Sequence, residues 1–130
     1  MNRIKVLIAD DHVDFRRVVH DFLKSLPNVS EVGEAANGIE AVEYVEREMP
    51  DIVLMDIAMP LRNGLEATRM IKERFPSTRV LLATMHDDPL YRIQAREAKA
   101  DGFILKSALK PGLEATFKNL DSWQTTDIQQ

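Results

Sequence analysis

Cysteine is absent from these 130 residues, so neither a disulfide framework nor a thiolate metal site is available. Long apolar runs are absent too. The first run, residues 4–9 (IKVLIA), is broken by Asp10 and Asp11, too early for a signal-peptide core or a membrane span. An excess of basic charge is also missing: 17 Lys and Arg stand against 21 Asp and Glu, for a net charge of −4. Duplex DNA is gripped by basic surfaces, so direct nucleic-acid binding by this domain is not expected. Residues 9–15 hold no glycine, which excludes a backbone loop that cradles nucleotide phosphates there. No internal repeat or low-complexity segment occurs. A cytoplasmic setting, without a membrane partner, is the expectation.

What is present is alternation. Residues 4–9 are a β-branched run suited to a buried strand. Phe15, Val18, Val19, Phe22, Leu23 and Leu26 then follow helical spacing, and Pro27 closes that helix. The same succession repeats along the chain. A weaker strand at 29–36 precedes the Asn37-Gly38 turn signal and a helix at 39–48 stopped by Pro50. A strand at 51–55 precedes a loop at 57–64 and a helix at 65–75 closed by Pro76. A strand at 79–83 precedes a helix at 89–99. A strand at 102–105 precedes a helix at 109–121 with Leu113, Phe117 and Leu120 on one stripe. Five βα units of this kind predict a parallel sheet covered on both faces, with right-handed crossovers. The natural architecture is a flavodoxin-like (βα)5 doubly wound sheet with strand order 2-1-3-4-5. Residues 1–122 form the expected domain, and 123–130 a polar tail or the start of a linker.

Five polar residues fall at or near the C-terminal ends of strands 1, 3, 4 and 5: Asp10, Asp11, Asp56, Thr84 and Lys106. In this strand order those ends are adjacent, and ligands bind in the crevice outside them. Strand 2 ends in Ala35-Ala36, which carries no chemistry. Two carboxylates about 5 Å apart repel by roughly 3 kcal/mol at an effective dielectric near 20. One lysine does not offset three of them, whereas a hard divalent cation does. Oxygen donors with room for water suit Mg²⁺. Such a cation also neutralises phosphoryl oxygens, and a carboxylate can form an acyl phosphate. Asp56 is the candidate nucleophile, Asp10 and Asp11 are metal ligands, and Lys106 and Thr84 would hold the remaining phosphoryl oxygens.

Each residue alone also has an ordinary reading. Asp10-Asp11 can cap the first helix. Asp56 can be a loop aspartate, Thr84 a strand residue, and Lys106 a solvated lysine before a helix. Four strand ends of the right polarity together favour the site. His12 and His86 lack a nearby third histidine, since His20 lies on the first helix, so a zinc centre is not expected. Phe103 reads as a core aromatic close to the site. Arg16-Arg17 reads as a solvated helix face.

The chain resembles the receiver domain of bacterial two-component response regulators over nearly all of residues 4–120. The matching stretches are Ile8-Ala9-Asp10-Asp11-His12, Leu54-Met55-Asp56-Ile57-Ala58-Met59-Pro60, Asn63-Gly64, Thr84, and Phe103-Ile104-Leu105-Lys106. The resemblance implies that Asp56 accepts a phosphoryl group from a phosphohistidine on a sensor histidine kinase or phosphotransfer protein. It implies Mg²⁺ held by Asp11, Asp56 and the backbone carbonyl of Ala58, with Asp10 helping through water. It implies a switch in which Thr84 moves toward the phosphoryl group and Phe103 swings inward. The surface of the fourth helix, fifth strand and fifth helix would then be read by an output partner. Ala58 and His86, two residues beyond Asp56 and Thr84, would tune dephosphorylation. His86-Asp87-Asp88-Pro89-Leu90-Tyr91 with Lys106-Ser107 is similar to receivers that precede a helix-turn-helix DNA-binding domain. Transcriptional regulation is the implied output; the apolar-edged surface around Leu90, Tyr91 and Phe103 could pair two copies, as a homodimer on phosphorylation, or meet another domain. One departure is Ser107, where many members carry a proline after a cis bond. A cis bond without proline costs about 3 kcal/mol. The domain is expected to be regulatory rather than an enzyme, with only slow self-phosphorylation and dephosphorylation.

Two rivals follow. A degenerate receiver would keep the fold as a protein-interaction module without phosphate. A Mg²⁺-dependent phosphohydrolase would place a second acid near Ala58 and carry a substrate cap, neither of which the sequence has.

Overall fold

The computed structural model describes residues 3–118. Strands β1 (Ile4–Ala9), β2 (Val29–Ala35), β3 (Ile52–Asp56), β4 (Arg79–Thr84) and β5 (Gly102–Leu105) alternate with helices α1 (Val13–Lys24), α2 (Gly38–Glu48), α3 (Gly64–Arg74), α4 (Pro89–Glu97) and α5 (Leu109–Lys118). All four strand pairings are parallel, and the sheet order is β2-β1-β3-β4-β5. The flavodoxin-like expectation holds. Leu120, the helix to 121, the domain boundary at 122 and the tail at 123–130 lie outside the described residues. Among the described residues no helix is long and apolar enough to cross a membrane.

The strands read as apolar runs because both faces of the sheet are covered. Side chains alternate between faces with period two. Leu7, Ala9, Val53, Met55, Val80 and Leu82 pack on one side with Val42, Val45, Ile71 and Ala95 of α2, α3 and α4. Val6, Ile8, Ile52, Leu54, Leu81 and Ile104 pack on the other side with Val19, Leu23, Leu113 and Phe117 of α1 and α5. The predicted stripe of α5 is therefore core over its described part.

Helix starts follow the local chemistry. Asn37 accepts the Glu40 N–H and Glu40 accepts the Ala36 N–H, so the start of α2 is closed from both sides. Asn63 caps α3 through the Glu66 N–H, and Asp88 caps α4 ahead of Pro89. The Asn63-Gly64 pair has a second use. The Gly64 N–H donates to the Ile57 carbonyl, and a Cβ there would run into the Asp56 carbonyl. Only glycine lets α3 begin against the last residue of β3. Gly64→Ala is expected to cost roughly 1–3 kcal/mol through overpacking, read as a lower urea midpoint. An unchanged midpoint would mean that this contact is not a constraint.

Two boundaries differ from expectation in a way that bears on the site. Asp56 and Thr84 are the last residues of β3 and β4 rather than the first residues beyond them, since Asp56 still pairs with Ala83 and Thr84 with Leu105. Asp101, just before β5, is a buried anchor that the sequence does not single out. Its carboxylate accepts Lys72 Nζ and the Val80 N–H, both at 2.8 Å, and so ties α3 to β4. No cis peptide bond occurs among the described residues, so Ser107 follows a trans bond. Residues Lys106–Ala108 instead form a single 3-10 turn into α5.

Candidate functional site

Strand register and side-chain phase assemble the site. Ala9 pairs with Met55, Asp56 with Ala83, and Ala83 with Ile104. Asp10 and Asp56 thus sit level at the C-terminal edge, and Lys106 follows two residues beyond Ile104, which is level with them. Asp10 continues the phase of Val6 and Ile8, Asp56 that of Ile52 and Leu54, and Lys106 that of Ile104. All three project from the α1/α5 face. Thr84 has the opposite phase, that of Val80 and Leu82.

Asp10 is 1% exposed and Asp56 6% exposed. Lys106 Nζ stands 2.6 Å from Asp10 Oδ2 and 3.2 Å from Asp56 Oδ1, and it lies 4.3 Å from the centre of the Phe15 ring. Lys106 is therefore a buried cation with an aromatic floor, not a solvated lysine. The other Asp10 oxygen accepts the His12 N–H at 2.9 Å and stands 3.0 Å from His12 Nδ1. Asp11 Oδ1 is 3.3 Å from the same nitrogen. Neither aspartate caps α1: the cap position is His12, and its side chain makes no cap bond. The ordinary reading of the acidic pair is thereby excluded.

Charge explains the titration behaviour. Burial pushes the Asp56 carboxyl above its usual range, and the Asp10 carboxylate adds to the shift. Lys106 opposes both and does not cancel them. His12 is raised by its hydrogen bond to Asp10 and by the negative charge of Asp11 and Asp10. With Asp10, Asp11 and Asp56 ionised, one lysine leaves the cluster two charges negative. Donor atoms of Asp10, Asp11, His12 and Asp56 all lie within 4.8 Å of one another. Opposed oxygens on Mg²⁺ lie about 4.2 Å apart, so the span and the oxygen-rich donor set fit that ion. Both Asp10 oxygens already have protein partners, while Asp11 opens to solvent.

The remaining predicted residues surround the cluster without joining it. The Thr84 hydroxyl oxygen accepts the His86 N–H at 3.1 Å, which leaves its own hydrogen free to donate. The His86 ring tilts against Tyr91 of α4, with centroids 6.3 Å apart, and is not part of the acidic cluster. Ala58 is exposed on the loop after β3. Phe103 is half-buried against the core on the α4 side, with the Arg92 guanidinium 4.6 Å from its ring centre. Arg16 corrects the sequence reading. It is not a solvated residue: it donates to the Asp10 carbonyl at 2.6 Å and to Glu34 at 2.9 Å. Arg17, its neighbour, is exposed as expected. Nothing in the local pattern separates the two, because the distinction depends on where β2 lies.

The response regulator receiver domain family model matches residues 6–118. The transcriptional regulatory protein DegU of Brevibacillus brevis is 42% identical over 105 residues, which cover 81% of this chain and 44% of that protein. The oxygen regulatory protein NreC of Staphylococcus carnosus is 40% identical over 106 residues, covering 81% and 49%. The chain thus spans about half the length of the curated relatives it matches. Among solved structures, a two-component response regulator of the LuxR family from Aurantimonas sp. SI85-9A1 superposes with a TM-score of 0.87 at 30% identity, over 98% of this chain and 94% of that one. Fold, acidic crevice and sequence agree: the chain belongs to the response regulator receiver domain family.

Proposed function

We propose that this receiver is a phosphorylation-controlled switch with Asp56 as phosphoacceptor. The observation that carries the reading is the buried Asp56 carboxylate, held against Lys106 and within reach of Asp10 and Asp11. Asp11, Asp56 and the Ala58 backbone carbonyl would hold Mg²⁺, with Asp10 acting through water. Bound there, the ion supplies positive charge opposite the phosphoryl oxygens.

An Asp56 carboxylate oxygen attacks the phosphorus of a phosphohistidine on a sensor kinase or phosphotransfer protein. A P–O bond forms, the P–N bond breaks, and the leaving imidazole takes up a proton. Lys106 pairs with one phosphoryl oxygen. The free hydroxyl hydrogen of Thr84 is available to another, and moving toward it draws on the β4–α4 loop through His86. Water attack on the acyl phosphate returns the carboxylate and inorganic phosphate, with Ala58 and His86 setting access. Phe103 and the surface of α4, β5 and α5 report the state to an output partner. A ligand shifts such an equilibrium only through contacts that differ between states, and Lys106 and Thr84 provide them. The printed role of the DegU relative, a transcriptional regulatory protein, favours transcriptional control; the output partner we propose is a DNA-binding domain, in the cytoplasm, with homodimerisation on phosphorylation.

The test is intact-mass measurement after incubation with a small acyl phosphate. The expected result is one added phosphate with Mg²⁺ and none with a chelator. No phosphate under either condition, together with no thermal stabilisation by Mg²⁺, would favour the phosphate-independent interaction module.

A further inference from the structure

We infer that Arg16 is a positioning residue for the acidic loop: it fixes the Asp10–Asp11 peptide and thereby sets the affinity of the site for a divalent cation. The inference rests on the proposed metal-dependent function and goes beyond it by naming what holds the loop in place.

The loop after β1 has little of its own to keep it rigid. Asp10 leaves the strand with its N–H bonded to the Ala35 carbonyl, and its side chain is spoken for by Lys106 and His12. Its carbonyl oxygen is taken up by a side chain of α1. Arg16 Nη1 meets that oxygen at 2.6 Å from the first turns of α1. Arg16 is itself held. Its Nε donates to Glu34 Oε1 at 2.9 Å, and Glu34 Oε2 stands 3.0 Å from His20 Nδ1, one turn further along α1. Glu34 pairs in register with Ile8 on β1. The chain Asp10 carbonyl, Arg16, Glu34, His20 thus links the end of β1 to β2 and to α1. The Arg16 side chain is only 14% exposed, unusual burial for an arginine that serves solubility alone.

Fixing the Asp10 carbonyl fixes the plane of the peptide that leads into Asp11. Among the described residues His12 is the only side-chain partner of Asp11, so its carboxylate points where that peptide directs it. A planar guanidinium can hold a carbonyl and a carboxylate at once. The lysine ammonium is a point charge on a flexible stem and does not reproduce that geometry. Residues that orient a ligating group without touching the metal typically alter affinity by 10- to 100-fold.

The experiment measures the Mg²⁺ dissociation constant by titration calorimetry, and initial phosphorylation rates from an acyl phosphate across a Mg²⁺ series. It uses the full chain and the variants Arg16→Ala, Arg16→Lys and Glu34→Gln. The expected result is Mg²⁺ binding weakened by about tenfold or more in Arg16→Ala, and by less in Glu34→Gln. The phosphorylation rate should fall at low Mg²⁺ and recover at saturating Mg²⁺. Arg16→Lys should not restore tight binding. A purely architectural role would lower the melting temperature of these variants and leave the dissociation constant within twofold of wild type, and that outcome overturns the inference. If Arg16→Ala does not fold, Glu34→Gln alone decides between the same two outcomes. A wild-type chain that binds no Mg²⁺ would sink the proposed function itself, and this inference with it.

Discussion

Asp56→Asn is expected to take up no phosphate from either an acyl phosphate or a phosphohistidine donor, while melting at a higher temperature than wild type at pH 7 without Mg²⁺. The first effect is chemical: an amide lacks the anionic oxygen that attacks phosphorus. The second is electrostatic. Burial and the Asp10 carboxylate hold the Asp56 carboxyl above its ordinary value of 3.8 in spite of Lys106. The folded chain therefore binds the Asp56 proton more tightly than the unfolded chain does. Between 3.8 and the raised native value the native state carries more protons, so stability falls as pH rises through that window. Above the window the ionised carboxylate costs stability at every pH. Asparagine removes that cost. The melting difference should be positive at pH 7 and disappear once pH drops below 3.8, where both forms are neutral. Added Mg²⁺ should stabilise wild type more than the variant. Scanning calorimetry checks the pair of signs, and a variant less stable than wild type at pH 7 without metal would contradict the electrostatic account. An added phosphate on the variant would remove Asp56 from its assigned role.

Lys106→Met should produce the largest loss of stability of any single change at the site. The methionine keeps much of the apolar stem against Phe15 and deletes the charge. Asp10 and Asp56 side chains are only 2% and 7% exposed in their pairs with Lys106. Without the ammonium, two buried carboxylates face each other with no cation between them. Removing one partner of a buried pair typically costs about 3–5 kcal/mol. The deficit should be greatest at neutral pH in chelator. It should shrink on acidification, because protonation removes the repulsion, and on addition of Mg²⁺, because the ion replaces the missing charge. Urea unfolding under the three conditions reads all of this. A variant as stable as wild type in chelator at pH 7 would show that water already screens the two carboxylates.

Both expectations start from residues visible in the linear chain, and the reason is specific. A strand buried on both faces must be apolar, so a charge in phase with its end stands out. Asp10 after IKVLIA, Asp56 after IVLM and Lys106 after GFIL are such interruptions. The places of all five strands, to within a residue at their ends, and the order of the sheet were legible on the same grounds. Helix ends were less so. Glycine and asparagine at 37–38 and 63–64 mark turns, yet each pair splits between cap and first helical residue once the carbonyls are placed.

Arg16, which was misread, and Asp101, which the sequence did not single out, share one property: their partners are remote in sequence. Arg16 looks like Arg17 until β2 brings Glu34 alongside. Asp101 looks like loop polarity until Lys72 and the Val80 N–H close around it. Thr84 stands at its strand end as expected; what the linear chain did not show is that its phase sends it toward the α2–α4 face and its oxygen toward His86.

Alternation and strand-end chemistry, which are one-dimensional properties, determined the fold class, the sheet order and the identity of the acidic crevice. Tertiary structure alone decided which of those polar groups touch. It put Lys106 between Asp10 and Asp56, gave Arg16 to the loop, and left Thr84 poised outside. The physical reason is that hydrophobic phase is carried by each residue and its near neighbours, whereas ion pairs and hydrogen bonds act over about 3 Å and exist only after distant strands have been brought into register.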